Sequence, residues 1–282
     1  MAAGAPADGA GAGSLTRASR SSVVERRAST TGASRSPIRA SRYRLGMRTD
    51  PLAPKPASPS EERVARRVQR RWWVFSALGA IGVVLLLGVV ITARAGVIGV
   101  DERFMGELVE HRSPFWDVPS LIFNSIGAGV VGVFVVPLGV AALFLLRRRP
   151  WAALYWIAAC ALSAGVVQVV KHTFGRARPE DILVVSDYGS FPSGHTSNAA
   201  TLAVVLGVIL RRVWVWVAGA AYTVLMLLSR TYLGAHWLTD TIGGLLIGAG
   251  VAVVLWAPVA HRLLDEQERV RGRGWIWQGR RA

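Results

Sequence analysis

Residues 239–259 read TDTIGGLLIGAGVAVVLWAPV, twenty-one residues whose single charged group, Asp240, stands at the head of the run. At about 1.5 Å per residue such a run makes a helix of roughly 30 Å, the thickness of a bilayer's hydrocarbon layer. Gly243, Gly244, Gly248 and Gly250 suit close packing between membrane helices better than ligand binding. Five earlier stretches have the same apolar character, at about 73–93, 118–146, 151–170, 194–210 and 213–229. The expected fold is all-α: a polytopic membrane bundle of six transmembrane helices. The second stretch is longer than one crossing needs, and Pro137 marks its expected kink. Trp72, Trp73, Trp151, Trp214 and Trp256 fall near helix ends, where indoles favour the headgroup region.

Composition agrees. Of the 282 residues 52% are hydrophobic and only 18% charged, and the mean hydropathy is +0.37. A net charge of +16 in a soluble chain would point first to nucleic acid. Here 15 of the 33 basic residues precede Trp72, and most others sit in short clusters between charge-free runs, as orientation signals do. Nucleic-acid binding is therefore set aside. The single Cys160 lies in an apolar run and forms no intramolecular disulfide.

Residues 1–66 are rich in Ala, Gly, Ser, Pro and Arg and lack sustained apolar periodicity, so they are expected to form a disordered cytoplasmic tail. Met47 offers a second start within it. No apolar core of a signal peptide precedes Trp72. The membrane domain is expected over 67–260, followed by a basic cytoplasmic tail over 261–282. Counted close to the helix ends, one side of the membrane carries seventeen Lys and Arg, and the other seven. The positive-inside rule then puts both termini in the cytoplasm of a multi-pass plasma-membrane protein.

That topology brings three polar clusters to the outer face. The first is Lys171-His-Thr-Phe-Gly-Arg-Ala-Arg178-Pro179; Lys171 is one of two lysines in a chain with 31 arginines, so a compact ammonium is wanted there. The second, Ser190-Phe-Pro-Ser193-Gly194-His195, leads into a helix whose N-terminal N–H groups and dipole favour an anion such as phosphate. Its bland alternative is an N-cap serine and an interfacial histidine. The third is Ser229-Arg230, five residues, His236, three residues, Asp240. If the last helix begins by His236, the spacing of four puts the imidazole and the carboxylate on one face, the arrangement of an activated histidine. A carboxylate this far into a membrane helix faces a polar cavity or a partner.

Together the clusters read Lys-x6-Arg-Pro, Pro-Ser-Gly-His and Ser-Arg-x5-His-x3-Asp, and so resemble the type 2 phosphatidic acid phosphatase superfamily without a substitution, over roughly 73–260. The resemblance implies a lipid phosphate phosphatase acting through a phosphohistidine. In that reading His236 is the nucleophile, Asp240 orients it, and His195 is the general acid. Lys171, Arg178, Ser193, Gly194 and Arg230 bind the substrate phosphate, and no metal or other cofactor is required. Phosphatidic acid, phosphatidylglycerol phosphate and polyprenyl diphosphate are the substrates it suggests. The residues do not separate hydrolysis from transfer to another lipid hydroxyl, and a lipid transporter or sensor retaining the fold is the alternative from another class. Oligomeric state is not encoded in these motifs. Outside them, Arg176 and His172 are expected to act beside the cradle or as plain loop residues. His111 and His261 are expected to face solvent, and Asp101, Glu102, Glu107 and Glu110 to form a solvated face on a short interfacial helix.

Overall fold

The computed structural model describes residues 59–94, 97–127 and 129–278; most of the expected N-terminal tail, with Met47, lies outside the described residues. Among those described, every regular element is helical: α1 Pro59–Ala93, α2 Gly99–Glu110, α3 Pro114–Gly127, a π-helical turn Val131–Val135, α4 Val136–Leu146, α5 Pro150–Phe174, α6 Gly194–Leu210, α7 Val213–Tyr232 and α8 Leu238–Gln278. Helix α1 begins at Pro59, several residues before the expected end of the tail at 66.

Among the described residues, four helices are long and apolar enough to cross a membrane: Arg67–Ala93 within α1, α5, α7, and Leu238–Val270 within α8. α3 and α4 meet the same test only as a pair bent by 48°, which makes a fifth. α6, at 17 residues, is only about 25 Å long. The large apolar side chains on the outer faces, such as Leu86, Leu138, Val217 and Val224, are mostly exposed, as they are in a protein whose solvent is lipid.

α6 lies at the centre, packed on α5, α7 and α8, while α1 covers the other side of α8. Glycines allow the tight α6–α8 crossing: a Cβ on Gly244 would overlap the Ser193 carbonyl, and one on Gly248 the Ser197 carbonyl. Tyr155, Trp156, Val205 and Ile209 fill one core cluster. Val84, Val167, Phe191 and Ile247 fill a second, nearer the polar clusters.

Two expectations are corrected. The second apolar stretch does not kink at Pro137; it begins at Pro114 and breaks after Gly127, upstream of the π turn. Pro137 has no N–H to give and its ring crowds the carbonyl four residues back, and the wider π turn just before it accommodates both. Asn198 of α6 donates through Nδ2 to the carbonyls of Gly127 (3.1 Å) and Gly132 (3.2 Å), one on each side of the break. Second, the last helix does not stop near 259: α8 continues to Gln278, into the region of the expected C-terminal tail. Buried Glu266 reaches back to the start of α5, accepting from the N–H groups of Trp151 (2.9 Å) and Ala152 (3.2 Å). These are donors that a helix N-terminus leaves without intrahelical partners.

Candidate active site

Helix ends deliver the three motifs to one place. α5 stops at Gly175, whose left-handed conformation (φ 53°) lets its N–H close on the Lys171 carbonyl and turns the chain into the loop carrying Arg176 and Arg178. α7 stops in the same way before Gly234 (φ 66°), and the turn that follows carries His236. The Arg176–Arg178 segment grips this turn on both sides of the histidine. Arg178 donates to the Ala235 carbonyl, and Trp237 Nε1 donates to the Ala177 carbonyl at 3.0 Å.

His236 is 2% exposed, and its Nδ1 donates to the carbonyl of Ser190 at 2.7 Å. That bond leaves Nε2 with the lone pair; the nearest guanidinium nitrogen, Arg178 NH1, is 3.5 Å from it. Burial, then the charges of Arg230, Arg178 and Lys171, push the imidazole well below its ordinary pKa and keep it neutral.

The direct His236–Asp240 contact read from the spacing is replaced by a different arrangement. α8 begins at Leu238, so His236 stands outside the helix, and Asp240 Oδ2 is 3.7 Å from Nδ1, beyond a hydrogen bond. Oδ2 instead accepts from the Trp237 N–H at 2.9 Å, as a carboxylate at the third helical position often does for a helix start. Oδ1 accepts from Arg176 NH1 at 2.5 Å.

Of the five residues expected to bind phosphate, Lys171, Gly194 and Arg230 line one cavity, and Arg178 shares the Asp187 carboxylate with Lys171. Lys171 is 2% exposed and its Nζ bonds both carboxylate oxygens of Asp187, at 2.9 and 3.0 Å. Arg178 NH2 bonds Asp187 Oδ1 at 2.7 Å. Although partial burial opposes ionisation of Asp187, the Lys171 hydrogen bond and the Lys171 and Arg178 charges hold its carboxyl below the usual range. Arg230 donates through NH1 to the side chain of Asn124, and its buried Nε finds no acceptor among the described residues. Arg230 lines the cavity that Gly194, His195 and His236 also line. Ser193 is fully buried as the N-cap of α6, with Oγ accepting from Thr196 Oγ1 at 3.2 Å and, at a long 3.5 Å, from Thr196 N–H. Its oxygen thus caps the start of α6.

His195 Nε2 donates to the backbone carbonyl of Asn124 at 3.1 Å. α3 comes this close because Gly127 has no side chain: a Cβ there would lie 2.9 Å from His195 Cδ2. Asn124 therefore serves both His195 and Arg230, a role the motifs did not reveal, although a lone amide inside an apolar run was its signal. Asp187 and the Ser190 carbonyl carried no comparable signal. His172, His111 and His261 are exposed. Asp101 is not on a solvated face: it is fully buried against Arg176. Among the described residues no group of three His, Cys, Asp or Glu side chains is placed to hold a metal ion.

The cavity beside these residues has a volume of about 620 Å³. Lys171, His195, Arg230 and His236 stand at its polar end. Away from them it is lined by Phe134, Leu138, Ile157, Cys160 and Val167, from α4, α5 and the π turn.

Residues 152–263, which hold all three motifs, match the family described as the PAP2 superfamily. Phosphatidylglycerophosphatase B of Bacillus subtilis is 29% identical over 177 residues, 58% of this chain and 85% of that protein. Lipid A 4'-phosphatase of Bacteroides thetaiotaomicron is 30% identical over 185 residues, 57% of this chain and 79% of that protein. In fold the chain is similar to the crystal structure of a transmembrane PAP2-type phosphatidylglycerolphosphate phosphatase from Bacillus subtilis, with a TM-score of 0.55 over 62% of this chain and 93% of that one at 24% identity. With the motif region matched to the superfamily and a relative 30% identical across 79% of its own length, the chain belongs to the PAP2 superfamily.

Proposed function

We propose that the chain is an integral membrane phosphatase that hydrolyses the phosphomonoester or diphosphate of a lipid at the outer face of the plasma membrane. The observation that carries this reading is the cavity, cationic and histidine-lined at one end and apolar along α4 and α5. Phosphate is matched by Lys171, Arg178 and Arg230, and an acyl or isoprenoid chain by the apolar wall. Each methylene buried there contributes roughly 0.8 kcal/mol, and the bilayer already holds such a chain at that depth. Phosphatidic acid, phosphatidylglycerol phosphate and polyprenyl diphosphate are the substrate classes proposed.

In this mechanism the neutral Nε2 of His236 attacks phosphorus. A P–N bond forms as the P–O bond to the lipid breaks, and the three cations stabilise the equatorial oxygens. The phosphate dianion favours protonation of His195, whose Nδ1 proton passes to the departing oxygen. The other nitrogen of that ring is engaged by Asn124. Water activated by His195 then cleaves the phosphohistidine and releases inorganic phosphate. Gly194 contributes through its backbone at the start of α6, and Asp240 acts at one remove, by fixing the helix start behind His236. No metal or other cofactor enters these steps.

In the proposed topology α1, the bent α3–α4 pair, α5, α6, α7 and α8 make six passes, with residues 1–66 and the C-terminus cytoplasmic. The bias of basic residues towards one side supports this orientation. Labelling by an impermeant thiol reagent, in a Cys160→Ala background in intact cells, tests the orientation. Val185→Cys is expected to react and Arg147→Cys not to; the reverse pattern overturns it. The function is tested by phosphate release in mixed micelles from one lipid of each class and from a short-chain soluble ester, with chelator present. Preference for a lipid is expected. A soluble ester as good as every lipid sinks the lipid assignment, and transfer to a second lipid without free phosphate makes the chain a phosphotransferase.

A further inference from the structure

The buried ion pairs of the site converge on a residue outside the three motifs. Arg176 donates through NH1 to Asp240 Oδ1 (2.5 Å) and Thr239 Oγ1 (2.8 Å), and through NH2 to Asp101 Oδ2 (2.7 Å). Asp101, from α2, also accepts from the Thr239 N–H (2.8 Å) and the Thr239 hydroxyl (2.6 Å). Both carboxylates are fully buried, Arg176 is 9% exposed, and its guanidinium carbon lies 5.5 Å from the centroid of Trp237, the residue after His236. A planar fork spans two carboxylates with fixed, spread donors, which the compact ammonium of a lysine does not reproduce.

Resting on the phosphatase reading above, we propose that Arg176 is a positioning residue for His236: it draws Asp240 onto the start of α8 and away from the imidazole, so that the Ser190 carbonyl sets the tautomer and Nε2 stays unprotonated. Without the guanidinium, Asp240 Oδ2, already only 3.7 Å from Nδ1, competes with Ser190 for that proton, and its uncompensated charge favours an imidazolium with no lone pair. The groups facing His236 are Lys171 from α5, Arg178 and Asp187 from the loop after α5, His195 from α6, Arg230 from α7 and Asp240 from α8. Arg176 and Asp101 stand behind Asp240. Lys171, Arg178 and Arg230 oppose protonation, the two carboxylates favour it, and Arg176 offsets Asp240. Asp101 enters with the opposite sign: removing its charge leaves Arg176 acting on Asp240 alone.

The test reads His236 directly, by NMR titration of ring-15N histidine in the full-length protein in detergent. Comparison with His236→Ala assigns its signal, and kcat/KM on long-chain phosphatidic acid is followed beside it. In Arg176→Gln the titration midpoint is expected to rise by about one pH unit, within the range of single nearby charges, and kcat to fall. Arg176→Lys should restore the midpoint but not kcat, because it keeps the charge without the fork. Asp101→Asn should move the midpoint down. A folded Arg176→Gln with an unchanged midpoint and tautomer overturns the proposal; if that variant does not fold, an unchanged or raised midpoint in Asp101→Asn does so. Absence of phosphate release by the wild type sinks the phosphatase reading instead, and the titration still decides the role of Arg176.

Discussion

His236 gives its Nδ1 proton to the carbonyl of Ser190 at 2.7 Å, while the carboxylate of Asp240 stands 3.7 Å away with both oxygens engaged elsewhere. The proposed nucleophile is thus oriented by a neutral acceptor, within a ring of cations. A carbonyl fixes the tautomer without favouring the charged ring, as a carboxylate would. This sets the pH behaviour. An attacking His236 must be unprotonated, and its pKa lies below the ordinary histidine value, through burial and then the Arg230, Arg178 and Lys171 charges. Activity therefore persists as pH falls through 6.5 and is lost only at lower pH, where the ring protonates. The acid limb of kcat/KM checks this; a limb above 6.5 contradicts it. His236→Ala should lower kcat to background while the protein still elutes from gel filtration and melts as the wild type does.

Asp187 occupies donors that the proposed mechanism assigns to the substrate phosphate. Lys171 and Arg178 both bond its carboxylate, yet its side chain is 58% exposed, so the pair is screened and readily exchanged. A phosphate must displace it. Asp187→Asn removes the competing charge and is expected to lower KM for the lipid, and Ki for orthovanadate, by a few-fold. Exposed pairs of this kind contribute up to about 1 kcal/mol. Raised constants would mean that Asp187 helps to build the cradle rather than competing for it.

The motif residues were legible because their type and spacing are dictated by phosphate chemistry, and most of the apolar helices because lipid permits little else. What escaped is long-range. Asp101 looked like one acid among four on α2, and its burial is decided by Arg176, 75 residues away. The spacing of His236 and Asp240 suggested a shared helical face, but it was the stop at Gly234 that set where α8 begins. The overrun of α8 was hidden by its charged sequence, because Glu266 finds its partners at the start of α5. The break after Gly127 is bridged by Asn198 on another helix, which no local pattern announces.

His195 and Gly127 give a test of the proposed general acid. A methyl group at 127 would press on His195 Cδ2, from 2.9 Å, and on Met226, which is flexible enough to yield, whereas the imidazole is tethered to Asn124. Gly127→Ala is expected to reduce kcat on alkyl phosphates by about tenfold or more, within the range general-acid catalysis supplies. An aryl phosphate whose leaving group needs no proton should be much less affected. His195→Ala should show the same selectivity in stronger form. Equal losses on both substrates would remove His195 from the proton-transfer role.

The close crossing of α6 and α8 links stability to chemistry, because His195 begins one helix and Asp240 lies in the first turn of the other. At Gly248 an added Cβ would meet the carbonyl oxygen of Ser197, and at Gly244 that of Ser193; both are backbone atoms, which no rotamer change can move aside. Overpacking of this kind costs about 1–3 kcal/mol, and here the helices can relieve it only by separating. That separation would carry Asp240, and the His236 turn behind it, away from His195 and the Ser190 carbonyl. Gly248→Ala is therefore expected to lower both the melting temperature in detergent and kcat. Gly79→Ala on α1, where a Cβ meets nothing within 4 Å, should leave kcat unchanged and hold or raise the melting temperature, since alanine favours the helix by roughly 0.5–1 kcal/mol. A Gly248→Ala protein as stable and as active as the wild type would show that the crossing is looser than these contacts require.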